Sequence, residues 1–292
     1  MANFTRPRRS VLYMPGSNAR ALDKGRTLAA DALIIDLEDS VAPDAKNEAR
    51  QQIVAALGEG GYGNRELIIR VNALTTQWGF DDIATISGTS ADAILIPKVD
   101  SAEAVRQAAT IMDEAGAPNT MTIWCMMETP RAILHAEEIA DSHSKMGGFV
   151  MGTSDLAKDL GAAHTEMRLP FISTLNLCVL AARAAGITVL DGVHLDLNDD
   201  VGFRAACVQG QELGFDGKTL IHPKTIAAAN DVFGPSEKEI AWSKKIIEAH
   251  AGALKEGKGV VVVDGKLVEN LHVQSAKRLV AMFESIKKLE AN

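Results

Sequence analysis

The sequence predicts an α/β fold, a (β/α)8 TIM barrel followed by a C-terminal extension. Eight short runs rich in Val, Ile and Leu recur along the chain. Their spacing is roughly 25–40 residues per unit, which is typical of this barrel. Amphipathic, Ala-rich stretches separate the runs, and no break in composition divides them. Eight such units favour a closed barrel over an open, doubly wound sheet, and 292 residues suffice to bury its core.

Each apolar run is nearly continuous, as expected for a parallel strand that is buried on both faces. The eight predicted strands cover residues 10–14, 32–39, 67–72, 93–98, 121–128, 148–156, 187–192 and 217–222. Predicted helices include residues 44–57, 101–115, 130–140, 169–185 and 201–213. The C-terminal strand ends of such barrels carry the chemistry. We therefore expect the polar residues at these ends to converge, namely Glu38, Asp39, Arg70, Asn72, Lys98, Glu128, Asp155, Asp191 and His222.

The pattern changes after Gly234-Pro235. Ser236 and Glu239 form a capping box that predicts a helix to about residue 255. Residues 260–268 predict a β-hairpin around the Asp264-Gly265 turn, and a last amphipathic helix follows. We therefore predict two domains, a catalytic barrel over residues 1–234 and an extension over residues 235–292. The extension is too small to bury a sufficient apolar core of its own, so we expect it to pack on its barrel or on a neighbouring subunit.

Composition narrows the class of protein. The net charge of −8 and the isoelectric point near 5.4 argue against a duplex nucleic acid partner. Cys125, Cys178 and Cys207 lie far apart in apolar segments, which predicts buried thiols in a reducing compartment. No apolar run reaches membrane-spanning length, and none of signal-peptide type precedes the first strand. We expect a cytoplasmic protein without a membrane or nucleic acid partner.

Glu128 and Asp155 end two successive predicted strands. Their side chains could share one hard cation, and oxygen ligands without a Cys/His set favour Mg²⁺, or else Mn²⁺. Magnesium usually takes one or two protein carboxylates and leaves its other positions to water and substrate. The alternative is that each acid caps the helix that follows it.

Arg70 interrupts an apolar strand, and a buried guanidinium needs an anionic partner. A substrate carboxylate or enolate oxygen would suit it, and so would an internal ion pair with Asp36 or Glu38. Alternation along the second strand places Asp36 and Glu38 on one face, so Glu38 could reach the site. Lys98 could form a Schiff base, but balancing the charge of these acids is the simpler interpretation.

Two further candidate binding residues, Lys24 and His222, lie near predicted loops. Lys24 follows the first strand and could meet a phosphate, although a position on a solvated helix face is the simpler interpretation. His222 ends the eighth strand, where barrels often bind anions, yet a single histidine there is more often a structural hydrogen-bonding group.

Several short motifs occur in order along the chain: S-V-L-Y-M-P-G at 10–16, D-L-E-D-S-V at 36–41, I-R-V-N at 69–72, I-P-K at 96–98, M-E-T-P at 127–130, G-T-S-D-L at 152–156 and G-K-T-L-I-H-P at 217–223. Together they resemble the citrate lyase β-subunit-like family of the HpcH/HpaI aldolase superfamily. D-G-K-L-V-E-N at 264–270 resembles the C-terminal hairpin of that family. The resemblance covers nearly the whole chain.

The resemblance implies a Mg²⁺-dependent acyl-CoA lyase. Such an enzyme cleaves or forms the C–C bond of a 3-hydroxyacyl-CoA such as malyl-CoA or citramalyl-CoA, with a 2-oxo acid and an acyl-CoA on the other side. By position, Glu128 and Asp155 match the metal ligands of the family, and Arg70 matches its substrate-binding arginine. The positions that match CoA thioester contacts are Tyr13, Lys24, Ser154, Ile221 and His222. Family members form trimers or hexamers in which the C-terminal segment covers a neighbour's site.

One position departs from the family pattern. Lyases of the family often carry an acid/base Asp near the end of the hairpin, and Glu269 stands there in this chain. Asp264 occupies the turn and is better explained as a turn residue. Glu269 could still move a proton, but the change leaves malyl-CoA thioesterase activity as an alternative. Further alternatives are a CoA-independent pyruvate aldolase and a non-catalytic subunit of a lyase assembly.

Overall fold

The computed structural model describes residues 6–255 and 257–291. Contacts divide this part of the chain into two compact units. One unit comprises residues 8–233, and the other comprises residues 6–7 and 234–291. Within the described ranges, no helix is both long enough and apolar enough to span a membrane.

The larger unit is a closed barrel of eight parallel strands, which confirms the predicted fold class. Its strands run in sequence order, and β1 pairs with β8 to close the ring. Their bounds are β1 Ser10–Pro15, β2 Ala32–Asp36, β3 Glu66–Arg70, β4 Ala93–Ile96, β5 Thr122–Met127, β6 Met146–Met151, β7 Thr188–Asp191 and β8 Gly217–Leu220. Most of the predicted strands run past these C-terminal ends. The polar residues at the ends therefore lie mainly in the loops that follow the strands.

Helices surround the barrel, as the Ala-rich stretches predict. They are α1 Ala19–Gly25, α2 Lys46–Glu59, α3 Gly79–Ser87, α4 Ala102–Glu114, α5 Pro130–Leu134, α6 Ala136–Ala140, α7 Thr153–Leu160, α8 Ile172–Ala185, α9 Asp200–Leu213 and α10 Ile226–Phe233. The single helix predicted over residues 130–140 is two short helices. His135 separates them because its backbone leaves the helical region, with φ −108° and ψ 18°.

Two apolar layers hold the barrel together. The larger layer lies between strands and helices, and a smaller one fills the barrel interior around Trp124. Val11, Ile34 and Ile68 belong to the inner layer. Because strand side chains alternate, residues two positions further along the same strands also point inward. This alternation directs polar side chains at the strand ends over the centre of the barrel.

The second unit consists of α11 Glu237–Lys255, β9 Val261–Val263, β10 Lys266–Val268 and α12 Asn270–Glu290. The predicted capping box is present, since Ser236 N–H donates to Glu239 Oε2 at 2.8 Å. The predicted hairpin is also present. Its turn residues Asp264 and Gly265 both have positive φ, 48° and 75°, as the tightest hairpin turns require. A small core around Ile246 stabilises this unit.

Candidate active site

A cavity of about 450 Å³ lies at the C-terminal ends of the barrel strands. Five of its polar lining residues are Asp36, Arg70, Glu128, Ser154 and Asp155. The other residues that line it are Tyr13, Met14, Pro15, Asp39, Ser40, Met126, Met151, Gly152, Thr153, Val193, Thr219 and Ile221. The structure therefore brings Glu128 and Asp155 into one cavity with Arg70.

Glu128 follows β5 and is only 2% exposed. Its Oε1 accepts a hydrogen bond from the backbone N–H of Lys98 at 2.7 Å. Burial raises the pKa of Glu128 to about 7, and the negative charges of Glu38 and Asp155 add to this rise. A bound cation would lower the free-energy cost of keeping this buried carboxylate ionised, so Glu128 is suited to bind a metal ion.

Asp155 lies in the first turn of α7, three residues after Gly152. The alternative that Glu128 and Asp155 act as helix caps is wrong. Thr129 caps α5 by accepting a hydrogen bond from Ala132 N–H, and the N-cap position of α7 is Gly152. Both acids are therefore left to face the cavity.

The donor set fits Mg²⁺ and does not fit a metal held by the protein alone. Among the described residues, no group of three or more His, Cys, Asp or Glu side chains could hold an ion. Magnesium needs only one or two carboxylates, because water and substrate fill its remaining positions. Gly152 allows the two elements to approach, since a Cβ atom there would lie 2.5 Å from Glu128 Oε2.

Arg70 ends β3 and makes the internal ion pairs that the sequence offered as an alternative. Its Nε and Nη2 donate to Asp36 at 2.6 and 2.7 Å, and Nη1 lies 2.9 Å from Glu38 Oε2. Burial alone would raise the pKa of Asp36, but the guanidinium outweighs it, and the pKa lies below its ordinary value. The guanidinium also lies 5.1 Å from the ring centroid of Tyr13. The pairs fix its orientation in the cavity wall.

Glu38 is held by a second cation. Lys98 Nζ lies 2.9 Å from Glu38 Oε1, which supports the charge-balancing interpretation of Lys98. Lys46 Nζ donates to the carbonyl oxygens of Leu37 and Glu38 at 2.8 and 2.7 Å, which anchors the loop after β2. Burial raises the pKa of Glu38 in spite of Arg70 and Lys98. Glu38 therefore supports Arg70, and it is not among the described residues that line the cavity.

Asp191 does not join the site, which corrects the expectation of full convergence. Its neighbour Leu190 fills the barrel interior, so alternation turns Asp191 outward. There the fully buried carboxylate accepts bonds from Lys218 Nζ and from Arg168 Nη1, both at 2.7 Å. This buried triad ties β7 and β8 to the segment that precedes α8.

The predicted CoA contacts are divided. Tyr13, Ser154 and Ile221 line the cavity. In contrast, Lys24 is exposed on α1, and the exposed His222 accepts a hydrogen bond from Lys224 N–H at 3.1 Å. Neither Lys24 nor His222 is among the described residues that line the cavity.

Several lining residues were not predicted. Met126 and Thr219 lie on inward positions of β5 and β8, and Tyr13 Oη lies 3.3 Å from Met126 Sδ. The alternation that ends at Glu128 could have identified Met126, because it is two residues earlier. Thr153 is the first residue of α7 and Ser40 lies in the turn after β2, so strand alternation does not indicate either of them.

Glu269 belongs to the second unit and is the N-cap of α12. Its carboxylate accepts from His272 N–H, and His272 Nδ1 accepts from Glu269 N–H at 3.0 Å. Asp264 forms an ion pair with Lys245 at 2.6 Å, consistent with a turn residue. An acid/base role for Glu269 stays a prediction.

Comparisons with known proteins agree with this architecture. Residues 9–223 match the family model described as HpcH/HpaI aldolase/citrate lyase. The (3S)-malyl-CoA thioesterase of Cereibacter sphaeroides is 48% identical over 98% of each chain. The L-malyl-CoA/β-methylmalyl-CoA lyase of Cereibacter sphaeroides is 33% identical over 96% of each chain. The CitE protein of Mycobacterium tuberculosis, solved with magnesium, acetoacetate and coenzyme A, is 26% identical. It matches 94% of this chain and 97% of its own with a TM-score of 0.73.

Proposed function

The chain belongs to the HpcH/HpaI aldolase/citrate lyase family, and from this premise we propose that it is a Mg²⁺-dependent malyl-CoA thioesterase. One observation carries the chemistry: the carboxylates of Glu128 and Asp155 line the same cavity as the Arg70 guanidinium. The choice of hydrolysis rests on the 48% identity to a (3S)-malyl-CoA thioesterase over 98% of each chain. The magnesium and coenzyme A bound by CitE support the same cofactor and substrate class.

Glu128 and Asp155 would hold the ion, while water and substrate oxygens fill its other positions. When bound, Mg²⁺ supplies Lewis-acid and template catalysis for the oxygen atoms of the substrate. Lys98 keeps Glu128 in place through its backbone N–H. Glu128 is 2% exposed, so packing as well as this hydrogen bond limits the movement of its carboxylate.

Arg70 provides the positive charge for an anionic part of the substrate. A guanidinium has five N–H donors. Asp36 takes two of them, and Glu38 faces Nη1, so donors remain for an anion in the cavity. A preorganised charge in a site of low dielectric stabilises developing negative charge more strongly than water does. Arg70 therefore binds a substrate carboxylate or supports the oxyanion of the thioester.

Hydrolysis consumes one water molecule. Water adds to the thioester carbonyl carbon, the C–S bond breaks, and CoA leaves as a thiolate that takes up a proton. The proton of the attacking water needs an acceptor, which we assign to Glu269 of a neighbouring copy, as the family resemblance implies. Asp39 is the acceptor available within the same barrel, since it lines the cavity and its side chain is 63% exposed.

Tyr13, Ser154 and Ile221 line the cavity and are proposed to contact the acyl end of the CoA thioester. Lys24 and His222 are proposed as contacts for more distant parts of CoA, on the family resemblance alone.

The assembly is proposed to be a homotrimer or homohexamer in which the extension packs on a neighbour. Exposed apolar side chains on the hairpin support this arrangement. Val262 and Leu267 form a cross-strand pair and are 66% and 55% exposed. Leu271 follows them at 58%. Three buried free cysteines support a reducing, cytoplasmic location.

Carbon–carbon bond cleavage of malyl-CoA or citramalyl-CoA is the second candidate. The sequence motifs favour this lyase reaction, with hydrolysis as the alternative. The 33% identity to a malyl-CoA/β-methylmalyl-CoA lyase favours it, but the higher identity to a thioesterase reverses the order. The two reactions share the proposed metal ligands and Arg70, so their products distinguish them.

The deciding experiment incubates the purified full chain with malyl-CoA and with citramalyl-CoA, with and without Mg²⁺. Free malate and CoA from malyl-CoA are expected, and only when Mg²⁺ is present. Glyoxylate, or pyruvate from citramalyl-CoA, would instead identify a lyase. Asp155→Ala should abolish the Mg²⁺-dependent reaction. Asp159→Ala is the matched control, because Asp159 is an exposed acid one turn further along α7 and does not line the cavity within the described residues.

A further inference from the structure

Lys98 has an unusual backbone at the mouth of the barrel. Its φ of 53° lies in the left-handed region, which it shares with only two other non-glycine residues in the described ranges, Arg168 and Asp264. Asp264 occupies a hairpin turn, where this conformation is ordinary. A lysine gains nothing locally from a left-handed conformation, and such conformations persist where surrounding contacts impose them.

The backbone amide of Lys98 contacts Glu128 directly. Lys98 lies two residues beyond the end of β4, where its N–H has left the strand ladder. That N–H points to the neighbouring strand end and donates to Glu128 Oε1 at 2.7 Å. The other carboxylate oxygen, Oε2, does not accept this hydrogen bond. It lies beside Gly152, where a Cβ atom would come within 2.5 Å of it. The orientation of the Glu128 carboxylate therefore depends on where the Lys98 amide is held.

The side chain of the same residue acts on a different part of the site. Lys98 Nζ lies 2.9 Å from Glu38 Oε1, and the other carboxylate oxygen of Glu38 lies 2.9 Å from Arg70 Nη1. Glu38 is thus clamped between two cations and cannot turn without releasing one of them. Arg70 keeps its orientation toward the cavity because Asp36 and Glu38 hold it from two directions.

We propose that Lys98 is a positioning residue that couples the two halves of the site. Its backbone N–H, at a residue with a left-handed φ, holds the Glu128 carboxylate, and its ammonium holds Glu38 against Arg70. The proposal rests on the proposed function of this cavity and deepens it. Lys98 itself need not touch the substrate, and no covalent step through its ammonium is required.

The two contributions can be separated by substitution. Lys98→Met keeps a side chain of similar length and the backbone bond, but it removes the ammonium. Lys98→Gly removes the ammonium as well and releases the backbone, because glycine populates positive and negative φ about equally. Lys98→Arg restores a cation that can reach Glu38. Lys145→Met is the matched control, since Lys145 precedes β6 at the opposite end of the barrel and forms an ion pair with Asp113.

The test measures kcat and KM for malyl-CoA, thermal midpoints, and the binding of Mn²⁺ alone to the metal-free full chain by titration calorimetry. Lys98→Met should lower kcat by at least about tenfold, because small displacements of catalytic groups have large effects, with Mn²⁺ affinity within about threefold of the parent. Lys98→Arg should recover most of the lost turnover. Lys98→Gly should bind Mn²⁺ about tenfold more weakly than Lys98→Met while unfolding at a higher temperature, because the left-handed backbone no longer carries a cost.

Full turnover in Lys98→Met would overturn the role of the ammonium, and parental Mn²⁺ affinity in Lys98→Gly would overturn the role of the backbone. A loss of turnover in Lys145→Met would show that the assay reports general destabilisation, which also contradicts the proposal. If the parent produces glyoxylate instead of malate, the proposed hydrolysis fails. The same comparisons of turnover and Mn²⁺ binding then decide the role of Lys98 in the lyase reaction.

Discussion

Removing the guanidinium of Arg70 tests how the charges of the site are held. In Arg70→Met, the carboxylates of Asp36 and Glu38 lose a partner at 2.6–2.9 Å while remaining buried, with side-chain exposures of 3% and 9%. Removing one member of a buried ion pair costs about 3–5 kcal/mol, because an uncompensated charge stays behind. The two bonds to Asp36 alone account for roughly 3–6 kcal/mol at 1.5–3 kcal/mol for each charged hydrogen bond. We therefore expect Arg70→Met to lower the free energy of unfolding by about 3–5 kcal/mol at neutral pH.

The loss should depend on pH. In the parent protein the pKa of Asp36 is lowered below 3.8, so its contribution to stability is present above that value and is lost as the pH falls through the folded pKa. In Arg70→Met, burial without the guanidinium raises the pKa of Asp36. The variant is then destabilised as the pH rises through that raised pKa. The difference between the two proteins should be largest near neutral pH and shrink toward acid pH.

Urea unfolding at about pH 7.5 and about pH 4.5 measures this difference, with equal m-values required for the comparison. Arg183→Met is the matched control, because Arg183 pairs with Asp216 at 2.8 Å but both side chains are about one-third exposed. An ion pair at that exposure contributes at most about 1 kcal/mol. Equal effects of the two substitutions, or a loss in Arg70→Met that does not vary with pH, would refute the reasoning.

Three further predictions concern the metal site and the extension. Gly152→Ala should abolish Mn²⁺ binding while leaving the far-UV circular dichroism unchanged, because its Cβ would displace the Glu128 carboxylate; unchanged affinity would contradict this contact. In the metal-free protein, burial raises the pKa of Glu128 from 4.5 to about 7. The contribution of Glu128 to folding stability is therefore complete below pH 4.5 and is lost as the pH rises through about 7. The thermal midpoint of the parent in EDTA should therefore fall relative to that of Glu128→Gln between about pH 5.5 and about pH 8, and parallel curves would contradict the shift. Glu269→Gln should lower turnover about 100-fold at an unchanged midpoint, whereas Glu269→Ala should also lose about 1 kcal/mol of stability with the α12 cap. If Asp39→Asn produces the loss of turnover instead, the proton acceptor lies inside the barrel.

The barrel could be predicted because its signals are local and repeated. Each buried strand is a short apolar run, and each helix is an Ala-rich amphipathic stretch, so eight units appear without knowledge of tertiary contacts. The break at His135 between α5 and α6 could not be predicted, because the apolar periodicity continues across it. Strand ends were placed too far along for a similar reason, since apolar residues continue into the loops.

The site was predictable where alternation operates. Ile34 and Ile68 face the interior, so Asp36 and Arg70 two residues later face it too. The same rule, applied to Leu190, would have excluded Asp191, which is the error of treating every polar strand end as convergent.

The helix cap at Thr129 was open to prediction, because its hydrogen bond to Ala132 N–H is local and Pro130 follows it at the first position of the helix. The left-handed φ of Lys98 was not, because the acids that contact this residue, Glu38 and Glu128, follow two other strands and no signal within I-P-K indicates it. Backbone conformation at a functional site is imposed by tertiary structure, and local propensity does not reveal it.

We propose that Glu128 and Asp155 together hold one divalent ion beside Arg70. Anomalous diffraction from crystals of the full chain soaked in Mn²⁺ tests this directly. We expect a single strong peak within coordination distance, about 2.0–2.2 Å, of carboxylate oxygens from both acids. A peak bound elsewhere, or one that survives Asp155→Ala, would contradict it.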